Sequence, residues 1–178
     1  SYHGQSPERL LNLLYRIHSR KKVAWIHGEI NFSDDKCRRL KKYYQKLDHI
    51  FFISELTKNS FKRIMDVGDE KSTIYYNPND KEDVLKKSEL PCDIDFSSDY
   101  INLLTVGRIS PEKGQDMIPI ITRKLLDKGY PVRWYIVGDG DMRNKVEELI
   151  NEYDVKESVN LLGTKTNPYN YTKMCDIY

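Results

Sequence analysis

Val106-Gly107-Arg108-Ile109-Ser110-Pro111-Glu112-Lys113-Gly114 follows directly on the apolar run Ile101-Asn102-Leu103-Leu104-Thr105. An apolar run that ends in a glycine reads as a buried strand entering a turn. Pro111 and Gly114 then punctuate a short loop, and a helix-like pattern starts just after Gly114. Two cations, Arg108 and Lys113, sit in this loop. Backbone N–H groups at a helix start, backed by cations, suit a diphosphate. A strand-to-helix loop with a basic surface describes the same residues equally well, and the stretch alone leaves both readings open. Either way the order is strand, loop, helix, and the chain around it repeats that order.

Apolar strand-like runs recur at Val23–Ile26, Ile50–Ile53, Thr73–Tyr76, Leu103–Val106, Trp134–Val137 and Val159–Leu162. They start roughly 25–30 residues apart, the span of a strand plus a crossover helix. Most lack strict alternation, as strands buried on both faces do. Helical patterns fill several of the intervals. Ser6-Pro7 reads as an N-cap and N1 pair ahead of Leu10, Leu13, Leu14 and Ile17. Ser54 reads as the cap of a helix with Phe61, Ile64 and Met65 on its inner face. Met142, Val146, Leu149, Ile150 and Tyr153 share one face of another helix. The expected fold is α/β with parallel sheets.

The chain has 178 residues, 39% hydrophobic and 31% charged, which is a globular composition. No run approaches the apolar length of a membrane span. Cys37, Cys92 and Cys175 are isolated, unlike a disulfide framework or a zinc site, and a reducing cytoplasm is the simplest setting. Charge is uneven: residues 1–78 hold 15 Lys/Arg against 9 Asp/Glu, and residues 79–178 hold 14 against 18. The first part is therefore expected to meet something anionic. Lys36, Arg38, Arg39, Lys41, Lys42 and Lys46 crowd one expected helix, read first as a solvated face and second as a peripheral contact with an anionic membrane. Nucleic acid is not expected, because no binding motif accompanies the charge.

Residues 77–99 interrupt the rhythm. Asn77-Pro78-Asn79-Asp80 is turn chemistry, and a charged, strand-poor stretch follows through Asp99. This places a domain junction, with units at 1–78 and 100–178 and a linker at 79–99.

The loop at Val106–Gly114 closely resembles the donor-site loop of the retaining GT-B glycosyltransferases of family 4, the glycosyl transferases group 1. In that family the loop reads roughly V-G-R-x-x-x-x-K-G, and its Arg and Lys contact the pyrophosphate of a sugar nucleotide. The resemblance implies two Rossmann-like domains. Residues 1–78 would be the second half of the acceptor-side domain, and 100–178 the first half of the donor domain. It implies transfer of a glycosyl group from a nucleoside-diphosphate sugar to a hydroxyl of a carbohydrate or lipid-linked glycan, with retention of configuration. Cell-surface polysaccharide or glycolipid synthesis is the implied setting. No cofactor and no metal are expected, since Gly107, Arg108 and Lys113 would hold the diphosphate and the two cations would neutralise it as it leaves. The family is usually more than twice this long, and a Glu-x7-Glu segment meets its donor sugar. Nothing here matches that segment, so the stretch is expected to belong to a longer enzyme and to be inactive alone.

Other residues join the candidate site at strand ends. Val137-Gly138-Asp139-Gly140-Asp141 closes the fifth run. Ligands of open α/β sheets bind outside the carboxyl ends of strands, and glycines there admit close backbone approach. Gly138 and Gly140 are expected to line the cleft, with Asp141 read as the cap of the next helix. Gly163 and Thr164, after the sixth run, are candidate neighbours of the nucleobase by resemblance, although a glycine that merely ends a strand explains Gly163 as well. His27 ends the first run in Trp25-Ile26-His27-Gly28-Glu29. Such a histidine is ordinarily structural, but the family often carries W-x-H-x-D here, which implies a contact with the donor sugar. Glu29 departs from that Asp. Asp139-Gly140-Asp141 and Asp93-Ile94-Asp95 also match the Asp-x-Asp metal signature of GT-A transferases, a match this short arising by chance. Two alternatives stand beside the transferase: a phosphorylase- or epimerase-like enzyme, and a degenerate GT-B module that binds a nucleotide or partner without catalysis.

Overall fold

The computed structural model describes residue 13 and residues 16–28 and 32–178. The Ser6-Pro7 pair, Leu10, Leu14 and Glu29 lie outside them. The chain divides into two compact units, Ser1–Asn79 and Asp80–Tyr178.

The first unit holds β1 (Val23–Ile26), α1 (Asp34–Tyr44), β2 (His49–Phe52), α2 (Glu55–Met65) and β3 (Ser72–Ile74). The strands form one parallel sheet in the order β1-β2-β3. Neighbours in sequence are neighbours in space, and right-handed crossovers then put both helices on one face. That face is the core. Cys37, Leu40 and Tyr44 of α1 and Phe61 and Met65 of α2 close over Ile50 and Phe52 of β2. Phe61 meets Tyr44 edge-on at 4.8 Å and Phe52 at 5.2 Å. Burial pushes the Tyr44 phenol up to about 12. Ser54 caps α2 as expected, its hydroxyl accepting from Thr57 N at 3.2 Å. The basic residues of α1 lie away from the buried Cys37-Leu40-Tyr44 stripe, and Arg39 pairs with Asp35.

One expectation differs here. β1 and β2 alternate in burial instead of being covered on both faces. Their second face carries Trp25, Phe51 and Tyr75, with Trp25 edge-on to Tyr75 at 5.3 Å. Aromatic residues on the face away from α1 and α2 made these runs look continuously apolar.

The second unit holds α3 (Lys81–Ser88), β4 (Ile101–Val106), α4 (Met117–Asp127), β5 (Val132–Val137), α5 (Arg143–Glu152), β6 (Val159–Gly163) and α6 (Tyr169–Met174). Its sheet is parallel in the order β4-β5-β6. Both faces are covered. Ile118 of α4 and Val146 and Ile150 of α5 pack with Ile136 on one side. Leu104, Tyr135 and Val137 pack with Tyr171 of α6 on the other, joined by Cys92, Ile94 and Phe96.

The charged stretch expected as a linker is therefore built into this unit from Asp80 onward. Asp80 caps α3 by accepting from Asp83 N at 3.0 Å. Asn167 Nδ2 donates to Lys87 O and Asn170 Nδ2 to Pro91 O, each at 2.8 Å. Lys165 meets Asp93 at 2.6 Å, and the Tyr171 hydroxyl donates to the same carboxylate. Residues 89–99 form no strand, but Cys92-Asp93-Ile94-Asp95-Phe96 alternates, with the apolar members on the sheet. Phe96 lies against Tyr135 at 4.7 Å between ring centres.

Phe61 is the ring that both helices and β2 share. Phe61→Ala should cost about 3–5 kcal/mol in urea unfolding followed by far-UV circular dichroism. A loss below about 1 kcal/mol would contradict this packing.

Candidate donor site at the carboxyl ends of β4, β5 and β6

The three strands of the second sheet end side by side, and each runs into a glycine. Gly107 N donates to Val137 O at 2.9 Å, and Gly138 N donates to Gly163 O at 2.8 Å. The sheet pairing thus continues into its own exit loops. Beyond it the β4 and β5 loops stay joined, Ile109 N donating to Asp139 O at 3.0 Å and Met142 N to Ile109 O at 3.2 Å. Ile109 is fully buried and anchors its loop in the core.

Two glycines are required by this approach. A Cβ on Gly138 would stand 1.9 Å from Gly107 O, and one on Gly140 would stand 2.2 Å from Ile109 O. Contacts under 3 Å with backbone leave nothing free to move aside. Gly138 also has φ +143, where side chains are disfavoured. The sequence reading of Gly138 and Gly140 as points of close approach is met by backbone against backbone.

Arg108 and Lys113 lie in the loop after β4. A 3-10 turn spans Pro111–Lys113 and closes at Gly114, with α4 starting three residues later at Met117. Both cations are exposed. The main chain beneath Arg108 is fixed: Gln115, 3% exposed, donates from Nε2 to Arg108 O at 3.0 Å. The Arg108 side chain is paired, its Nη2 lying 2.7 Å from Glu112 Oε1. Glu112, Ser110 and Gln115 were not singled out from the sequence. For Glu112 a signal was available, its place four residues after Arg108; for Gln115 none was, because only the fold buries it.

Gly107, Arg108, Lys113, Gly138, Gly140, Gly163 and Thr164 thus share the carboxyl edge of one sheet. Thr164 is exposed and follows Gly163 at the end of β6. His27 belongs to the first unit. It is exposed just past β1 and stacks on Trp25, with centroids 5.7 Å apart and planes 18° from parallel. The expected Asp141 cap is displaced by one residue. Met142 takes the N-cap position of α5 without a side-chain bond, because the β5 loop is held one residue further on through Met142 N and Ile109 O. Among the described residues no three His, Cys, Asp or Glu side chains are placed to hold a metal ion, and no helix is long and apolar enough to cross a membrane.

Two parallel α/β units, one with a glycine-lined carboxyl edge beside a two-cation loop, define Rossmann-like architecture of the GT-B type. The chain belongs to the glycosyl transferases group 1 family, whose sequence profile matches residues 86–178, just over half of it. It is 24% identical over 178 residues to an uncharacterized glycosyltransferase of Methanocaldococcus jannaschii, covering 94% of this chain and 44% of that protein. It is 29% identical over 135 residues to the N-acetylgalactosamine-N,N'-diacetylbacillosaminyl-diphospho-undecaprenol 4-alpha-N-acetylgalactosaminyltransferase of Campylobacter jejuni, covering 76% of this chain and 35% of that enzyme. Among solved structures, HepE of Anabaena in complex with UDP superposes with a TM-score of 0.67 at 16% identity, over 89% of this chain and 46% of that one. TarM of S. aureus superposes with a TM-score of 0.65 at 17% identity, over 87% and 31%. These likenesses bear on the fold, and the chain spans less than half the length of each relative.

The close approach is directly testable. In a Trp25→Phe background Trp134 reports on the second unit alone, since the chain has 2 tryptophans. Gly163→Ala, at φ +68 with open space around it, should cost about 1–2 kcal/mol. Gly138→Ala should cost more than about 3 kcal/mol, combining strain with overlap. Equal costs in urea unfolding would contradict the Gly138–Gly107 contact.

Proposed function

We propose that the chain carries the donor-diphosphate seat of a glycosyltransferase. The enzyme would move a glycosyl group from a nucleoside-diphosphate sugar to an acceptor hydroxyl, with retention of configuration and without a metal. The observation that carries this reading is the shared edge: the Gly138–Gly107 contact brings three strand ends together, and the space beside Gly107 and Gly163 is uncrowded on the same edge as Arg108 and Lys113. Glycines let the ligand approach the main chain, and the two cations sit where negative charge would build on the departing diphosphate. Charges fixed in place before the reaction stabilise such a group far better than water, which must reorient. Family membership supports sugar transfer, and the likeness to a fold solved with UDP supports a nucleotide ligand.

His27 is the first unit's proposed contribution, a contact with the donor sugar, and this rests on the resemblance. A carbohydrate or lipid-linked glycan is the proposed acceptor. The Campylobacter relative's diphospho-undecaprenol substrate and the basic helix α1 favour that class. Work in the cytoplasm, with peripheral contact at an anionic membrane, fits the same charge.

Binding of UDP, GDP and ADP and their common sugar conjugates, with and without EDTA, tests the reading. One nucleotide should bind saturably and insensitively to EDTA. Arg108→Ala/Lys113→Ala should weaken it at least about 100-fold, the loss of two charge-assisted contacts. Binding that survives the double substitution would mean the diphosphate sits elsewhere.

A further inference from the structure

Glu112 lies between the two cations in sequence and pairs with one of them, Arg108. Its carboxylate accepts from Arg108 Nη2 at 2.7 Å. Its own backbone N–H, the nearby Ser110 hydroxyl and Arg108 favour the charged carboxylate and bring its pKa down to about 2. A backbone N–H, a hydroxyl and a guanidinium are the donors that bind a phosphate oxygen. Glu112 therefore occupies, with one charge, the guanidinium a diphosphate would use.

Nothing in the packing asks for this carboxylate. Its side chain is 56% exposed, and that of Arg108 is 65% exposed. The main chain below does not share that freedom. Ile109 is in the core, Ser110 is 3% exposed, and Gln115 clamps Arg108 O. The two paired side chains can swing over a fixed floor. An exposed pair contributes little, so separating it costs little. A diphosphate carries more charge than one carboxylate and spans both cations, so it wins the contest when present. Being on the same loop, Glu112 competes at roughly millimolar effective concentration or above, and it returns when the diphosphate loosens.

We propose that Glu112 is an internal competitor for the diphosphate seat: it holds the Arg108 guanidinium when the seat is empty, yields it to the donor, and reclaims it as the product diphosphate leaves. This rests on the assignment of Arg108 and Lys113 to the diphosphate. It makes Glu112 a residue that weakens binding in order to speed release.

The sign of one substitution decides it. Titration of the 178-residue chain with inorganic pyrophosphate, and separately with UDP, at fixed salt compares wild type, Glu112→Gln, Arg108→Ala, Arg108→Ala/Glu112→Gln and Arg108→Ala/Lys113→Ala. Glu112→Gln should bind pyrophosphate about two- to fivefold more tightly, the range an exposed ion pair spans. Loss of an ordinary supporting contact would weaken binding instead. The gain should disappear in the Arg108→Ala background. Equal or weaker binding by Glu112→Gln overturns the proposal. So does a gain that persists without Arg108, since it would come only from removing a nearby negative charge. If wild type and Arg108→Ala/Lys113→Ala bind pyrophosphate alike, or neither binds it, the diphosphate assignment itself falls and the competitor falls with it.

Discussion

Backbone meets backbone where Gly138 faces the carbonyl of Gly107, and the second unit is arranged around that contact. A Cβ at position 138 would come within 1.9 Å of the oxygen. Because the loops after β4 and β5 can touch, Gly107 continues the pairing to Val137, and Ile109 pairs with Asp139. That pairing fixes the path of the β4 loop, seats Ile109 in the core and leaves Arg108 and Lys113 on the outside. The cations owe their place to a pair of residues with no side chains. In an open parallel sheet this edge is where ligands bind, so the packing constraint and the proposed chemistry occupy the same few residues.

Much of this is legible in the sequence because it is local. Among the described residues each of the six apolar runs lies within two residues of an observed strand's bounds, since such runs at regular spacing have few other uses. Ser54 is readable as a cap because capping involves residues three apart. The stripe from Met142 to Tyr153 is readable because helical spacing sorts buried from exposed. What the sequence hides is relational. Cys92-Asp93-Ile94-Asp95-Phe96 looks like a charged linker, or even a metal signature, until Tyr135 and Leu104 are seen to need cover. Asp93 finds Lys165 across a separation of 72 positions, and Asn170 holds Pro91 across 79. No short window contains those partners.

The candidate site divides the same way. The glycines and cations announce themselves by residue type, since few other side chains permit close approach or hold a diphosphate. The reason for Gly138 lies 31 positions upstream, and only the sheet brings Gly107 beside it. Gln115 reads as the start of a surface helix, yet it is buried as a clamp on Arg108 O. Glu112 reads as one more surface acid, yet the curve of the loop turns it onto Arg108. Specificity among sugars and acceptors lies further from reach, because side chains that read hydroxyl patterns follow no fixed spacing.

Backbone amide chemical shifts, followed as the nucleoside-diphosphate sugar that binds saturably is added to the isotope-labelled chain, test the central claim most directly. The account predicts saturable changes concentrated at Gly107, Arg108, Gly138, Gly163 and Thr164, the residues where three strands end. Changes concentrated elsewhere in the second unit, with these five amides unmoved at saturation, would contradict it.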